Sequence, residues 1–312
     1  MRREFVGLLQ CPRCGSGLQL EIGREDALEA RQGTLICQGM ECLARYGVAD
    51  GIAEFAVGFD EDAVRSELAY QDSSYHGDAR LIDEGFIGRF PDSLPELWPH
   101  TRHFGPDFRG LIRELGVGKG HRVLDIGTAA CWSCRLMAER GAEVTALDVS
   151  GSPYYGLRAA EIQFRTHGVF FERVLESMTH LPFRDGVFDF VTCNASLHHT
   201  PDLDRTLREF GRVLKPGGEV GVVNEVFTGL RRRLFPKGNH AAEPGAHHDI
   251  RYRELRRSAR YRGLEPRYRL TAHAAHRIRD RSRLAAAVLG RLPWFVRQLD
   301  SAVVVMRKSA SA

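Results

Sequence analysis

The clearest hydrophobic pattern in the chain lies between residues 122 and 150. Residues 123–126 form a short, largely apolar run, which is typical of a strand buried on both faces of a parallel sheet. Gly127 follows at once, where the backbone must turn sharply and a ligand can approach closely. Residues 131–140 have the composition of a helix, and residues 144–147 form a second apolar run. The pattern therefore predicts a strand, a tight turn, a helix and a second strand.

Each of these two strands carries a carboxylate at or near its end, Asp125 in the first and Asp148 in the second. A unit of this kind with small residues in its first turn binds nucleosides, and a carboxylate about 20 residues past the turn accepts hydrogen bonds from ribose hydroxyls. The turn lacks the Gly-x-Gly-x-x-Gly pattern of a dinucleotide site. Asp125 would also repel a phosphate group. The sequence therefore predicts a nucleoside ligand that carries positive charge rather than phosphate.

The same stretch resembles motif I of the class I S-adenosylmethionine-dependent methyltransferases, which usually reads Asp-x-Gly-x-Gly-x-Gly. Three later stretches resemble landmarks of that family in the same order. Residues 176–191 resemble the segment that leads into its fourth strand, and residues 194–201 resemble the loop after it. Residues 207–218 resemble the next helix and its Lys-Pro-Gly-Gly turn. The resemblance spans about residues 105–226, and within the family the chain is similar to the type 11 methyltransferases.

The resemblance implies a doubly wound α/β fold with a mostly parallel, seven-stranded, Rossmann-like sheet over residues 116–312. Residues 252–261 resemble the late helix of the family. Residues 264–270 and 301–307 are then the terminal antiparallel strand pair. The segment 281–299 between them is expected to be a helical insertion.

The resemblance also implies a cofactor site. Two residues depart from the family pattern: Ala129 and Cys131 stand where the second and third glycines usually lie. Ser177 replaces an aspartate that many relatives place near the adenine amino group. Cys131 and Trp132 are expected to line the methionine end of the cofactor, and the adjacent Cys-x-x-Cys is read as packing rather than as a redox pair. The implied cofactor residues are Asp125, Gly127, Thr128, Ala129, Cys131, Trp132, Asp148, Val149, Ser177, Met178 and Asn194.

The front of the chain carries two close cysteine pairs, Cys11 with Cys14 and Cys37 with Cys42, separated by 22 residues. Such pairs converge on one tetrahedral zinc ion, and four thiolates leave no open position for catalysis. Strands at residues 18–22 and 34–36 would bring the pairs together. Residues 45–55 then resemble the tail of the zinc-ribbon domain that precedes many bacterial methyltransferases. We expect a structural zinc ribbon over residues 1–55.

Residues 56–115 separate this ribbon from the predicted core. Residues 61–70 and 108–115 have helical patterns, with loops between them. In the family, this region forms a lid over the methyl group and part of the substrate pocket. The residues on the substrate side are then expected to include Tyr75, His76, Trp98, His100 and His103.

The loop after the predicted fourth strand faces the methyl group in this fold, and it carries Asn194, His198 and His199. A histidine has the pKa that suits a general base near neutral pH. His198 and His199 are therefore the catalytic candidates, and His198 is preferred. The alternative is that both histidines pack or cap the next helix. Residues 227–248 are expected to be a loop over the pocket, in which three histidines are too irregularly spaced to predict a metal site.

Charge is uneven along the chain. The net charge is +4, but 20 Lys and Arg stand against 7 Asp and Glu from Glu225 onward. A basic half can contact RNA, an anionic substrate or a membrane surface, or simply be solvated. No apolar run approaches the roughly 20 residues that span a bilayer, and the first ten residues do not form a signal peptide. We therefore expect a cytoplasmic protein without membrane contact, whose seven cysteines bind metal or stay as free thiols.

The sequence thus predicts methyl transfer from S-adenosylmethionine to an oxygen or nitrogen nucleophile of a small molecule, a sugar or a natural-product intermediate. The first alternative is methylation of a ribosomal or transfer RNA base, in which the basic second half contacts phosphates. The second alternative is a non-catalytic module that binds the cofactor or a partner, as the altered glycine turn suggests.

Overall fold

The computed structural model describes residues 1–57, 59, 62, 64–65, 78–225, 227, 250–271 and 302–309. These residues contain seven α-helices. They are α1 (Glu84–Gly88), α2 (Leu94–Leu97), α3 (Phe104–Glu114), α4 (Trp132–Ala138), α5 (Ala160–His167), α6 (Leu203–Val213) and α7 (Tyr252–Tyr261). The strands are β1 (Leu18–Glu25), β2 (Ala30–Cys37), β3 (Arg45–Ala49), β4 (Ile52–Glu54), β5 (Arg122–Ile126), β6 (Glu143–Asp148), β7 (Glu172–Leu175), β8 (Phe188–Asn194), β9 (Leu214–Val223), β10 (Leu264–Arg269) and β11 (Val303–Lys308).

All eleven strands form one sheet, in the order β1-β2-β3-β4-β7-β6-β5-β8-β9-β11-β10. The five central strands β7, β6, β5, β8 and β9 are parallel, and β11 and β10 close the far side in antiparallel pairs. These seven strands confirm the predicted doubly wound fold and the terminal antiparallel pair. Their order reverses at β5 and β8, which is where ligands bind in open α/β sheets.

The helices cover both faces of the sheet. Helices α1, α3, α4 and α5 pack on one face, and their buried residues include Phe108, Met137 and Ile162. Helices α6 and α7 pack on the other face, where Phe210 and Leu255 are buried together with apolar residues of the N-terminal strands. The central strands read as apolar runs because both of their faces are buried.

The sheet has eleven strands rather than seven because the N-terminal ribbon extends it. Strand β4 pairs in parallel with β7, with Ile52 opposite Arg173. A second junction joins Leu9 to Phe183 in an antiparallel bridge. The predicted boundary at residue 55 lies one residue past β4, yet the ribbon shares the sheet of the core instead of standing apart. The ribbon strands are also longer than predicted, because β1 and β2 pair from Leu18 opposite Cys37 as far as Glu25 opposite Ala30.

The predicted lid is described continuously from residue 78, and before that only at residues 56–57, 59, 62 and 64–65. Its short helices bury Phe86, Ile87 and Phe90 on the face that also holds α4 and α5. Most of the predicted helix 61–70, Tyr75, His76, nearly all of the loop 227–248 and the segment 281–299 lie outside the described residues. Among the helices that the structure does describe, each is too short or too polar to cross a bilayer.

Candidate active site

The carboxyl ends of β5, β6 and β8 meet at one edge of the sheet. Asp125 on β5 lies opposite Ala146 on β6 and opposite Thr192 on β8. The turns after these three strands are therefore neighbours in space. They contain the predicted cofactor residues from Gly127 to Trp132, Val149 beside Asp148, and the two candidate histidines.

The turn after β5 keeps the backbone shape of the glycine motif although it has only one of the three glycines. Gly127 has φ +66°, Ala129 has φ +43° and Cys131 has φ +59°. Residues other than glycine rarely adopt this left-handed region, which costs them about 1–2 kcal/mol each. The fold therefore imposes the motif's turn on a sequence that departs from it. Thr128, inside the turn, is buried.

The turn after β5 packs directly against the loop after β8. A Cβ atom placed on Gly127 would lie 2.4 Å from the Cβ atom of Ser196. The Ser196 hydroxyl donates a hydrogen bond of 2.8 Å to the carbonyl of Ile126. Glycine at position 127 is therefore required both by its positive φ and by this close approach.

Asp125 faces the interior instead of the crevice. Its carboxylate accepts hydrogen bonds from Ser133, from Thr192 at 2.6 Å and from the thiol of Cys134 at 3.2 Å. Burial raises its pKa to about 6, although the hydrogen bonds lower it. Asp125 lies on the same face of β5 as Val123, so it points towards the first turn of α4. The hydrogen bonds of Asp125 thus connect the first turn of α4 to β5 and β8.

The side chains of Cys131 and Trp132 are also buried rather than exposed. The Trp132 ring packs edge to face on Phe108 of α3, with ring centroids 5.3 Å apart. Burial raises the pKa of the Cys131 thiol to about 12 and that of Cys134 well above its usual value. Because thiolates are the reactive form, two buried protonated thiols favour packing over a redox pair.

Asp148 joins the turns after β5 and β6. One carboxylate oxygen accepts a hydrogen bond of 2.9 Å from the backbone N–H of Ala129, and the other accepts one of 2.9 Å from Ser150. Val149 is half-buried beside it. A carboxylate oxygen can accept more than one hydrogen bond, so these two bonds do not by themselves prevent contact with ribose hydroxyls.

Ser177 and Met178 follow β7 at the same edge. Ser177 is buried and its hydroxyl hydrogen-bonds that of Thr179 at 2.8 Å, while Met178 is half-buried. Asn194 ends β8, and its side-chain oxygen accepts a hydrogen bond of 2.7 Å from Asn224. The Asn224 amide also contacts the carbonyl of Phe104 at 3.3 Å. Asn194 is thereby braced against the strand end of β9 and the start of α3.

His198 forms a pair with Glu225, a residue that the sequence analysis missed. His198 Nδ1 lies 2.7 Å from the Glu225 carboxylate, which also accepts the backbone N–H groups of Ser196 at 2.7 Å and Leu197 at 2.6 Å. Burial by itself would raise the pKa of Glu225, but these hydrogen bonds outweigh it and the pKa is lowered. Glu225 is therefore a carboxylate, and Nδ1 carries the proton. Glu225 could have been identified from the sequence as an acidic residue two positions past β9, at the edge of the sheet where ligands bind.

His199 is placed differently from His198. Its ring packs on that of His198, with centroids 4.1 Å apart. Of the predicted substrate-side residues of the lid, His100 is exposed, whereas Trp98 and His103 are half-buried. His240, His247 and His248 lie outside the described residues.

The four ribbon cysteines converge as predicted. The sulfur atoms of Cys11, Cys14, Cys37 and Cys42 lie within 4.8 Å of one another. A tetrahedral zinc ion with Zn–S bonds of about 2.3 Å separates its sulfurs by roughly 3.8 Å. The Gly39 N–H donates to Cys37 Sγ at 3.3 Å, which is the kind of support that a thiolate ligand receives. The donor set fits zinc.

Comparison with known proteins agrees with this geometry. Residues 124–222 match a family model described as a methyltransferase domain. The ubiquinone biosynthesis O-methyltransferase of Bordetella avium is 34% identical over 209 residues, covering 59% of this chain and 82% of that protein. Methyltransferase GfsG of Streptomyces halstedii is 36% identical over 126 residues, covering 38% of this chain and 43% of that protein.

A solved complex of a methyltransferase activator and a methyltransferase from Haloferax volcanii gives a TM-score of 0.50 at 19% identity. The match covers 72% of this chain and 97% of the solved chain, and it shows a shared fold. The reversal of strand order between β5 and β8, the methyltransferase family match and the Bordetella relative lead to one conclusion. The chain belongs to the class I S-adenosylmethionine-dependent methyltransferases.

Proposed function

We propose that this enzyme methylates an oxygen or nitrogen atom of a small molecule and that His198 is its general base. The name of the Bordetella relative, an O-methyltransferase of ubiquinone biosynthesis, supports a small acceptor. The observation that carries the proposal is the contact of 2.7 Å between His198 and the buried carboxylate of Glu225. A histidine held in this way at the ligand edge of the sheet is arranged for proton transfer.

The cofactor is proposed to lie across the turns after β5, β6 and β7. The backbone of the Gly127 turn would hold its amino-acid end, and Asp148 would accept hydrogen bonds from the ribose hydroxyls. Ser177 and Met178 would border the adenine. Asn194 is proposed to orient the methionine end, since Asn224 fixes its side chain. When bound, S-adenosylmethionine supplies an electrophilic methyl group on a positively charged sulfur.

His198 removes the proton that the acceptor loses. Because Nδ1 donates its proton to Glu225, the lone pair of the neutral ring is on Nε2. The bound S-adenosylmethionine would supply the methyl group to the acceptor oxygen or nitrogen and would leave as a neutral thioether. The acceptor proton passes to His198 Nε2, and Glu225 stabilises the resulting imidazolium. His199 is proposed to support the ring of His198 by packing rather than to transfer the proton.

The ribbon is proposed to bind one structural zinc ion through its four cysteines. The four sulfur atoms lie within 4.8 Å of one another, and a tetrahedral zinc ion requires such a set of thiolates. Metal analysis of the purified chain should find one zinc per chain, and Cys37→Ser should lose most of it.

The proposal is tested with methyl-labelled S-adenosylmethionine and a panel of phenol, hydroxyl and amine acceptors. His198→Ala is expected to lower kcat by about 10²–10⁴-fold, the usual contribution of a general base. The Kd for S-adenosylhomocysteine should change little, and His199→Ala, on the same turn, should cost much less. Equal losses at both histidines would contradict the assignment of the base. Labelling of RNA but not of small acceptors would replace the proposed substrate class.

A further inference from the structure

The last hairpin of the ribbon lies against the loops that border the cofactor crevice. We propose that residues 50–57, the ribbon tail, help to form the adenosine site, with Glu176 and Arg158 as the positioning residues that connect them. Cofactor affinity then depends on the ribbon. The inference rests on the proposed cofactor position, and it assigns to the ribbon a role beyond its own stability.

Glu176 is the first connection. Its carboxylate is fully buried. One oxygen accepts the N–H of Val57 in the ribbon tail at 2.8 Å, and the other accepts the N–H of Ser177 at 2.7 Å. The backbone N–H of Glu176 also donates to the carbonyl of Asp148 at 3.1 Å. One residue thus links the ribbon tail to both the proposed adenine side and the proposed ribose side of the crevice.

Arg158 is the second connection, and it is independent of the first. Its Nε donates to Asp50 in the ribbon tail at 2.9 Å, and its Nη1 donates to the carbonyl of Gly151 at 2.7 Å. Glu54 lies 3.9 Å from its Nη2. Gly151 belongs to the loop after β6, three residues past Asp148. The ribbon tail therefore braces the loops after both β6 and β7.

The four-cysteine cluster is connected to the ribbon tail by a short stretch of chain and by backbone hydrogen bonds. Cys42 precedes β3 by three residues, and the N–H of Cys37 donates to the carbonyl of Ala44 at 3.0 Å. β3 turns into β4 with Ala49 opposite Ile52. The backbone N–H of Phe55 then donates to Leu175 at the end of β7 at 3.1 Å. A ribbon that loosens at the cysteines would release this hairpin and with it the Val57 N–H that donates to Glu176.

Two variants and one control test the inference by calorimetry with S-adenosylhomocysteine. Glu176→Gln keeps the size of the side chain but replaces one acceptor oxygen by a donor. We expect its Kd to rise about tenfold, the effect of losing one buried hydrogen bond to a charged group. Asp50→Asn removes the charge that binds Arg158, and asparagine tolerates the positive φ of +51° at this position. We expect about a threefold rise, since this pair is partly exposed.

The control is Glu21→Gln, which removes an exposed ion pair of 3.3 Å between Glu21 and Arg45 within the ribbon. Its Kd should stay within about 1.5-fold of the wild type, because exposed pairs contribute little. Zinc content and thermal unfolding, measured in parallel, separate positioning from loss of the fold. 5′-Methylthioadenosine, which keeps only the adenosine end, should lose affinity by the same factors as S-adenosylhomocysteine. Partial unfolding would lower both affinities by the same factor, so the thermal unfolding measurement is the control for it.

Equal Kd values for Glu176→Gln, Asp50→Asn and the wild type would overturn the inference while the proposed function stands. Absence of binding to the wild type would overturn both. A zinc-free chain that binds S-adenosylhomocysteine as tightly as the zinc-loaded chain would also refute the dependence on the ribbon. A rise in Kd for the two metal-loaded variants, but not for the control, would support it.

Discussion

Gly127→Ala should destabilise the enzyme through one identifiable contact. The added methyl group would meet the Cβ of Ser196 at 2.4 Å, and the backbone would keep a φ of +66°. The left-handed backbone costs about 1–2 kcal/mol, and overpacking costs about 1–3 kcal/mol. The free energy of unfolding should therefore fall by about 2–5 kcal/mol. The second cost disappears when Ser196→Gly removes the opposing Cβ.

A double-mutant cycle isolates that contact. Urea unfolding, followed by tryptophan fluorescence, is measured for the wild type, the two single variants and the double variant. Gly127→Ala should cost only about 1–2 kcal/mol in the Ser196→Gly background, which leaves a coupling energy of about 2 kcal/mol. Additive effects, within about 0.5 kcal/mol, would refute the packing of the two turns.

Three further perturbations address other parts of the site. Ala129→Gly should raise the free energy of unfolding by about 1 kcal/mol, because Ala129 is exposed at a φ of +43° and loses no packing; a loss of stability would contradict the strained turn. Asp125 holds a proton in the folded state up to pH about 6, whereas the unfolded value is 3.8. Stability should thus fall by up to about 3 kcal/mol as the pH rises through that window. Asp125→Asn should flatten this slope in urea titrations, and an unchanged slope would exclude the carboxyl as its source. Glu225→Gln should lower kcat/KM about 10–100-fold, as for other residues that orient a functional histidine. The Kd of S-adenosylhomocysteine should change little. A large rise in that Kd would instead indicate that the loop has collapsed.

Local patterns predicted much of the fold. The apolar run before Gly127, the spacing to Asp148 and the two cysteine pairs depend on neighbours in sequence, and the structure has all of them. The turn keeps its backbone conformation without two of the motif's glycines, because packing around Cys131 and Ser196 holds its φ values positive.

Side-chain direction and distant pairing were harder to predict. The alternation along β5 would have shown that Asp125 shares a face with Val123 and points inward. The position of Trp132 depends on Phe108, which belongs to a different helix. The pairing of β4 with β7 joins segments more than 100 residues apart, and no local pattern specifies such a partner. Glu176 and Glu225 gain their roles only through those long-range contacts.

A crystal structure of the chain with S-adenosylhomocysteine would test the proposed cofactor site directly. We expect ligand density beside Gly127, with the ribose hydroxyls within hydrogen-bond distance of Asp148 and the adenine next to Ser177 and Met178. The absence of ligand density beside Gly127 at saturating ligand would contradict the proposed cofactor site.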